Sequence, residues 1–290
     1  MPVPRKRLPE WLRVSYRGGR ARQEVKSLLK GLRLHTVCES ATCPNLCECW
    51  GRRTATFMLL GNLCTRNCRF CDVSHGIPLA PAGDEPENVA EACQRLGLRY
   101  VVLTCVTRDD LPDGGAGHIA TTVRAIRSRT PEAQIEVLTS DFEGRGCDLE
   151  TVLGAAPDVF NHNIETVERL TPEIRSHADY SRSLSVLTNA TRLGQPRGIS
   201  TKSGFMLGLG ETADEIRELL DDLRGAGVSI LTIGQYLPPS TEHWPVARYA
   251  TPEEFDKWAL LTRGKLGFSA VVSGPLVRSS YMAQQAVETS

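Results

Sequence analysis

Apolar residues along this chain fall into two alternating kinds of run. Short stretches rich in β-branched and apolar residues occupy 55–61, 99–104, 134–139, 158–163, 203–207 and 229–235. Between them lie longer stretches whose apolar positions recur every three or four residues: 87–96, 119–128, 149–155, 181–193, 213–224 and 252–266. The first kind predicts strands and the second predicts helices with one buried face. Two helix starts carry their own signals. Thr212-Ala-Asp-Glu215 reads as a capping box, with Gly225 and Gly227 beyond the last periodic residue. Thr251-Pro252-Glu253-Glu254 supplies a cap, a proline at the first helical position and acids in the first turn. Strands alternating with helices predict an α/β fold around a parallel sheet. Six βα units form either a partial barrel or a doubly wound sheet, and the periodicity does not separate the two. In a barrel the chemistry belongs at the C-terminal ends of the strands.

With 290 residues and 41% hydrophobic content, one large α/β domain is the natural reading. The 34 basic residues balance the 34 acidic ones, so net charge gives no case for nucleic acid. No run of 18 apolar residues predicts a membrane span. The first thirty residues carry nine basic side chains (Arg5, Lys6, Arg7, Arg13, Arg17, Arg20, Arg22, Lys26, Lys30) against Glu10 and Glu24, with no apolar core of a secretory leader. Such a run is either a solvated face or a docking surface for an acidic partner.

Cysteine changes the picture. Ten are present, and seven of them fall within 38–71. Cys64, Cys68 and Cys71 have the spacing C-x3-C-x2-C directly after the first predicted strand. Cys38, Cys43 and Cys49 have the spacing C-x4-C-x5-C just before it. Disulfide scaffolds are mostly short secreted chains, so a reducing, cytoplasmic setting with metal-held thiolates fits better. Three thiolates in eight residues suit one face of a cubane iron–sulfur cluster, which normally takes four ligands. A local set of three leaves one iron open to an exogenous molecule. Zinc is the alternative, but its sites usually pair two C-x2-C knuckles and close with four ligands. Two separate triads imply two clusters. Cys47 is a spare ligand or, as free cysteine often is, a small apolar filler.

The two spacings together, with Pro44-Asn45 and Glu48-Cys49-Trp50 inside the first, resemble the lipoyl synthase family of radical S-adenosylmethionine enzymes. The likeness extends through Arg108–Gly115, Phe160–Thr166, Thr201–Glu211, Ile233–Pro238 and the C-terminal Arg278-Ser279-Ser280-Tyr281. It selects the partial (βα)6 barrel of TIM type, here over 55–267, with an N-terminal extension at 1–54 and a C-terminal arm at 268–290. It implies sulfur insertion at C6 and C8 of a protein-bound octanoyl chain, using S-adenosylmethionine and two [4Fe–4S] clusters. Cys64, Cys68 and Cys71 would hold the catalytic cluster that binds S-adenosylmethionine. Cys38, Cys43 and Cys49 would hold an auxiliary cluster that donates sulfur, with Ser279 as its fourth ligand and Ser280 as second choice. Read without the resemblance, Arg278–Tyr281 is a turn after the apolar run 268–272.

The same likeness implies octanoylated lipoyl carrier domains as partners, namely the E2 subunits of 2-oxoacid dehydrogenases and the H protein of glycine cleavage. The electron donor would be a ferredoxin or flavodoxin. Phe70, Asn163, Glu165, Arg175 and Lys202 are the candidate S-adenosylmethionine contacts, each with plain packing or solvation as its alternative. Gly204, Gly208 and Gly210 do not fit a dinucleotide fingerprint but suit close backbone approach to a ligand. Gly114-Gly115 reads as a turn, and His162 as a hydrogen-bonded core histidine. Two rival readings remain. One is another two-cluster radical enzyme, such as a peptide maturase, against which the N-terminal position of the first triad argues. The other is a non-catalytic electron carrier, which would need four local thiols per cluster.

Overall fold

In the computed structural model of the chain, residues 8–13, 20–51, 56–281 and 283 are described. Residue 55 of the first expected strand, Arg5, Lys6, Arg7 and Arg17 of the basic stretch, and 282 and 284–290 of the last arm lie outside the described residues. The N-terminal extension forms α1 (Arg20–Gly31), β1 (His35–Thr36), α2 (Val37–Ser40) and α3 (Leu46–Gly51). Strand β2 (Thr56–Leu59) then begins six βα units. These run α4 (Glu85–Leu96), β3 (Tyr100–Cys105), α5 (Ala116–Arg129), β4 (Gln134–Leu138), α6 (Gly146–Leu153) and β5 (Val159–Asn161). They continue with α7 (Thr171–Ile174), α8 (Tyr180–Gly194), β6 (Ser200–Leu207), α9 (Ala213–Gly225), β7 (Ile230–Gln235) and α10 (Pro252–Gly264). A further strand, β8 (Ala270–Gly274), follows.

Strands pair in sequence order from β1 to β8, all parallel from β2 onward, with β1 antiparallel on β2. The order ends at β1 and β8, so among the described residues the sheet is an open, partial barrel. The six expected strands and six helices are all present, most with ends moved by a few residues. The run 268–272, read only as an apolar stretch before a turn, leads into β8, which pairs with β7 as a seventh parallel strand. The Thr212–Glu215 capping box forms in full, and the Thr251 side chain accepts from Glu254 N–H.

Side chains alternate between a helix-facing layer and the barrel interior. Val101, Leu103, Ile135 and Val137 pack in one apolar cluster under the helices, and Phe205, Leu207, Leu231 and Ile233 pack in another. Both faces are covered, which is why β7 is buried at every position. The interior-facing positions on the alternate register are unlike an ordinary barrel filling of branched aliphatics. They include Glu136, Lys202, Gly204, Thr232 and Gly234. The N-terminal extension is built into the same core: Val25, Leu29, Cys38 and Trp50 belong to the first cluster.

Candidate active site

The 64–71 loop leaves the C-terminal end of β2 and is pinned by several neighbouring loops. Arg66, buried, donates to both oxygens of Asp109 (2.7 and 2.9 Å) after β3 and to Asp141 Oδ1 (2.7 Å) after β4. The Arg69 amide donates to Ile174 O at 2.8 Å, and its carbonyl accepts from the Trp244 amide at 2.8 Å. Its guanidinium lies 4.6 Å from the Trp244 ring centroid. His243 Nε2 stands 3.2 Å from Cys71 O. The loop is therefore gripped from the β3, β4, β5 and β7 sides.

Backbone donors face its sulfurs. Cys64 Sγ accepts from the Arg66 and Thr107 amides at 3.4 and 3.3 Å. Burial pushes the Cys71 thiol up to about 12, against a hydrogen bond from the Val73 amide. Burial also raises Cys68, with the Arg175 charge and the Ser176 amide opposing it. The three sulfurs lie within electrostatic reach of one another. No three His, Cys, Asp or Glu side chains among the described residues converge as a single-ion site requires. A zinc site needs all its thiolates about 2.3 Å from one ion. A donor set of three spread thiols with N–H···S bonds fits a cluster, whose irons are held separately and tuned by such bonds.

Of the expected S-adenosylmethionine contacts, four gather at this end. Phe70 is part-buried against the second apolar cluster. Asn163 Nδ2 donates to Glu165 Oε1 at 3.0 Å. Glu165 holds a left-handed φ of 65°, a strained setting for a non-glycine residue. Burial raises its carboxyl, and the Arg175 charge partly offsets this. Arg175 is buried, donates to Ile164 O and Ser183 Oγ (both 3.1 Å), and lies within electrostatic reach of Cys68.

Lys202 is a correction. Its ammonium donates to both Glu136 oxygens (2.8 and 2.9 Å) and to Ser279 O (2.7 Å), which uses all three of its protons. A neutralised, fully committed cation has nothing left for a ligand carboxylate. The glycine segment is a second correction. The amides of Gly208, Leu209 and Gly210 donate to the Glu211 carboxylate at 2.8 to 3.0 Å. Close approach there is to the protein itself: a Cβ on Gly204 would stand 2.1 Å from Thr232 Oγ1. Asp113 accepts from the Gly115 and Gly117 amides (both 2.9 Å), so Gly114-Gly115 is the expected turn. His162 is buried between Thr139 O (3.0 Å) and Ser183 Oγ (3.1 Å), the expected core histidine.

The second triad meets the C-terminal arm. Cys38, Cys43, Cys49, Asn45, Thr56, Arg278, Ser280 and Tyr281 line one cavity. It opens beside Thr56, the first residue of β2, so the two triads flank opposite ends of that strand. Thr36 caps α2 by accepting from the Cys38 amide (3.2 Å), and α3 carries Cys49. Asn45 ties the two arms by donating to Leu276 O at 2.7 Å, and Tyr281 OH reaches Glu48 at 3.2 Å. Burial raises the Cys43 thiol, while the Asn45 amide and the Arg278 charge lower it. Cys47 is not among the residues that line this cavity.

Arg278–Tyr281 is a turn, closed by the Tyr281 amide on Arg278 O at 2.9 Å, and a cavity wall at once. Its two serines diverge. Ser279 Oγ accepts from Asn161 Nδ2 (2.9 Å) and donates to Asn163 Oδ1 (3.1 Å), whereas Ser280 faces the thiols. The expected fourth ligand Ser279 thus has its hydroxyl bonded to Asn161 and Asn163, while Ser280 lines the cavity beside Cys38, Cys43 and Cys49. All ten cysteines are free, and burial pushes the outlying Cys93 and Cys105 up to about 12.

Known proteins fit this arrangement. The Radical SAM superfamily profile matches residues 58–223, and that of the N-terminal domain of lipoyl synthase matches 3–43. The lipoyl synthase of Methylococcus capsulatus is 55% identical over 280 residues, covering 96% of this chain and 86% of that protein. That of Alkaliphilus metalliredigens is 52% identical over 285 residues, covering 98% and 97%. In fold, the chain is similar to the FeFe-hydrogenase maturase HydG of Carboxydothermus hydrogenoformans (TM-score 0.62, 14% identity, covering 92% of this chain and 68% of that one). It is also similar to SuiB of Streptococcus suis bound to S-adenosylmethionine (TM-score 0.56, 11% identity, covering 76% and 52%). With two cysteine triads flanking one open barrel and such identity over nearly its whole length, the chain belongs to the lipoyl synthase family of the radical SAM superfamily.

Proposed function

We propose that this chain inserts two sulfur atoms at C6 and C8 of an octanoyl group carried on a lysine of a lipoyl carrier protein, giving the lipoyl group. The observation that carries the reading is the pair of triads on opposite ends of β2, one at the mouth of the barrel and one against the C-terminal arm. When bound, the cluster on Cys64, Cys68 and Cys71 supplies the electron that cleaves S-adenosylmethionine to a hydrogen-abstracting radical, and the second cluster supplies the sulfur. Unactivated C–H bonds offer no acidity, so no general base among these residues is needed.

The protein's own residues hold and orient. The Arg66–Asp109–Asp141 grip fixes the 64–71 loop, as a radical reaction confined to one bond requires. Arg175 would meet the carboxylate of S-adenosylmethionine, Asn163 and Glu165 its polar groups, and Phe70 would shield them from water. Gly204 and Gly234 let the Thr232 side chain and the Val277 backbone of the arm pack tightly against the sheet. On the opposite wall, Cys38, Cys43, Cys49 and Ser280 would hold the second cluster. An oxygen donor is harder than a thiolate and suits a site that must release iron.

Octanoylated E2 subunits and the H protein are the carriers we assign, and a ferredoxin or flavodoxin the reductant. Free thiols throughout support a reducing, cytoplasmic setting. Among the described residues no helix is long and apolar enough to cross a membrane. The test is mass spectrometry of an octanoylated lipoyl-domain lysine after anaerobic incubation with reconstituted protein, S-adenosylmethionine and dithionite. Conversion of octanoyl to lipoyl is expected. Formation of 5′-deoxyadenosine with the octanoyl chain unaltered, or carrying only an alkene or hydroxyl, would contradict the reading.

A further inference from the structure

Ser279 is held at both of its polar ends. Lys202 Nζ donates to its carbonyl at 2.7 Å, and Asn161 Nδ2 donates to its hydroxyl at 2.9 Å. Both donors are organised by Glu136, which also accepts from Lys202 (2.8 and 2.9 Å), from Asn161 Nδ2 (2.8 Å) and from Tyr100 OH (2.7 Å). Lys202 and Glu136 are all but fully buried.

A buried ion pair is poor evidence of stability, because apolar residues of similar volume often do as well. Its attested value is in fixing register. Register is what this arm needs. Ser279 and Ser280 are adjacent and chemically identical, yet only Ser280 lines the cavity with Cys38, Cys43 and Cys49. A slip of one residue would bring Ser279 to the cavity and Arg278 to the network, or Ser280 to the network and Tyr281 to the cavity. The buried network tells them apart, since it captures one serine by carbonyl and hydroxyl together.

We infer that the Lys202–Glu136 pair, with Asn161, is a positioning device that sets the register of the C-terminal arm and thereby aims the Ser280 hydroxyl at the auxiliary triad. This rests on reading that cavity as a cluster site. Lys202 and Glu136 touch neither triad; they act through Ser279.

The test uses Glu136→Gln/Lys202→Met, which removes both charges and the bond to Ser279 O while leaving an amide at position 136 able to bond Tyr100 and Asn161. Hydrogen exchange of the reconstituted protein should quicken about tenfold or more at the amides of 276–281, with α9 and the β6–β7 core unchanged. In a Cys64→Ala/Cys68→Ala/Cys71→Ala background, where only the auxiliary cluster remains, iron loss to a chelator should quicken by a similar factor. Ser279→Ala, a milder change at the other end of the same contact, should move both rates in the same direction by less. Parent-like exchange and iron loss in both variants would overturn the inference. Ser280→Ala separates it from the reading beneath it. If Ser280→Ala quickens iron loss and the double variant does not, only the positioning role fails. If Ser280→Ala leaves iron loss unchanged, the ligand assignment itself fails.

Discussion

Asn45 and Leu276 join the two arms of the chain across 231 residues, the Asn45 side-chain amide donating to the Leu276 carbonyl at 2.7 Å. Asn45 is buried, between Cys43 and Cys49 in sequence and on the wall of the same cavity. Together with the Tyr281–Glu48 contact, this hydrogen bond joins the two arms at the cavity. Its removal leaves a buried carbonyl unpaired, at about 1–3 kcal/mol. Asn45→Ala should lower iron from about eight to about four per chain after reconstitution. Reductive cleavage of S-adenosylmethionine should persist. Iron analysis and 5′-deoxyadenosine yield check the pair of outcomes.

Arg66 should behave in the opposite sense. It bridges part-exposed Asp109 and buried Asp141 beneath the 64–71 loop, and its loss strips Asp141 of its closest cation, leaving, among the described residues, only Arg182 at 3.5 Å and the Glu143 amide. Arg66→Met should destabilise by about 3–5 kcal/mol, the usual effect of breaking a buried pair from one side. Radical generation should fall with it, while the iron on Cys38, Cys43 and Cys49 stays. Anaerobic urea unfolding and iron quantification distinguish this from a local effect of a few tenths.

His162 predicts a pH dependence. Burial, reinforced by the Arg175 charge, depresses its imidazole to about 4, against the hydrogen bond to Thr139 O. An unfolded histidine titrates near 6.5, so between about 6.5 and 4 the unfolded chain binds a proton that the folded one refuses. Stability should therefore fall with pH across that window, by up to about 3 kcal/mol from this residue. His162→Gln should be less stable at pH 7 yet show a flatter dependence from pH 7 to 5. An unchanged slope in urea unfolding at the two pH values would show that His162 is not its source.

Gly234 tests the seating of the arm on the sheet. A Cβ there would stand 2.3 Å from Val277 O, a backbone atom that cannot swing aside as a side chain does. Gly234→Ala should lift the arm, weaken the auxiliary site and abolish lipoyl formation. The 64–71 loop should retain its own iron and its 5′-deoxyadenosine yield. Wild-type lipoyl yield from Gly234→Ala would mean that the arm is not held where the structure puts it.

The βα succession is legible because each strand and helix carries its own period, and the two capping motifs because a cap is a local contract between neighbours. β8 escapes a sequence reading because its five residues end on Gly274 with Pro275 directly after, and only pairing with β7 defines it as a strand. The cysteine triads announce themselves by spacing. What spacing does not carry is which group a buried charge meets. Lys202 reads as a ligand contact because its partner Glu136 lies 66 residues away. A glutamate inside Gln134–Leu138 is the available signal, since an acid at the centre of an apolar strand must be paired. Arg66 and Asp109 lie in plain sight beside and within the motifs, but their contact exists only once β2 and β3 lie side by side. Ser279 and Ser280 are indistinguishable in sequence, and only the course of the arm separates them.

The central claim is that the two triads divide one reaction, Cys64, Cys68 and Cys71 making the radical and Cys38, Cys43 and Cys49 holding the sulfur. A single-turnover assay of the Cys38→Ala/Cys43→Ala/Cys49→Ala variant on an octanoylated lipoyl domain tests it directly, with 5′-deoxyadenosine and the acyl product measured in the same sample. The account predicts near wild-type 5′-deoxyadenosine and no lipoyl group. Lipoyl product from this variant, with sulfide in the buffer as the only other sulfur, would contradict it.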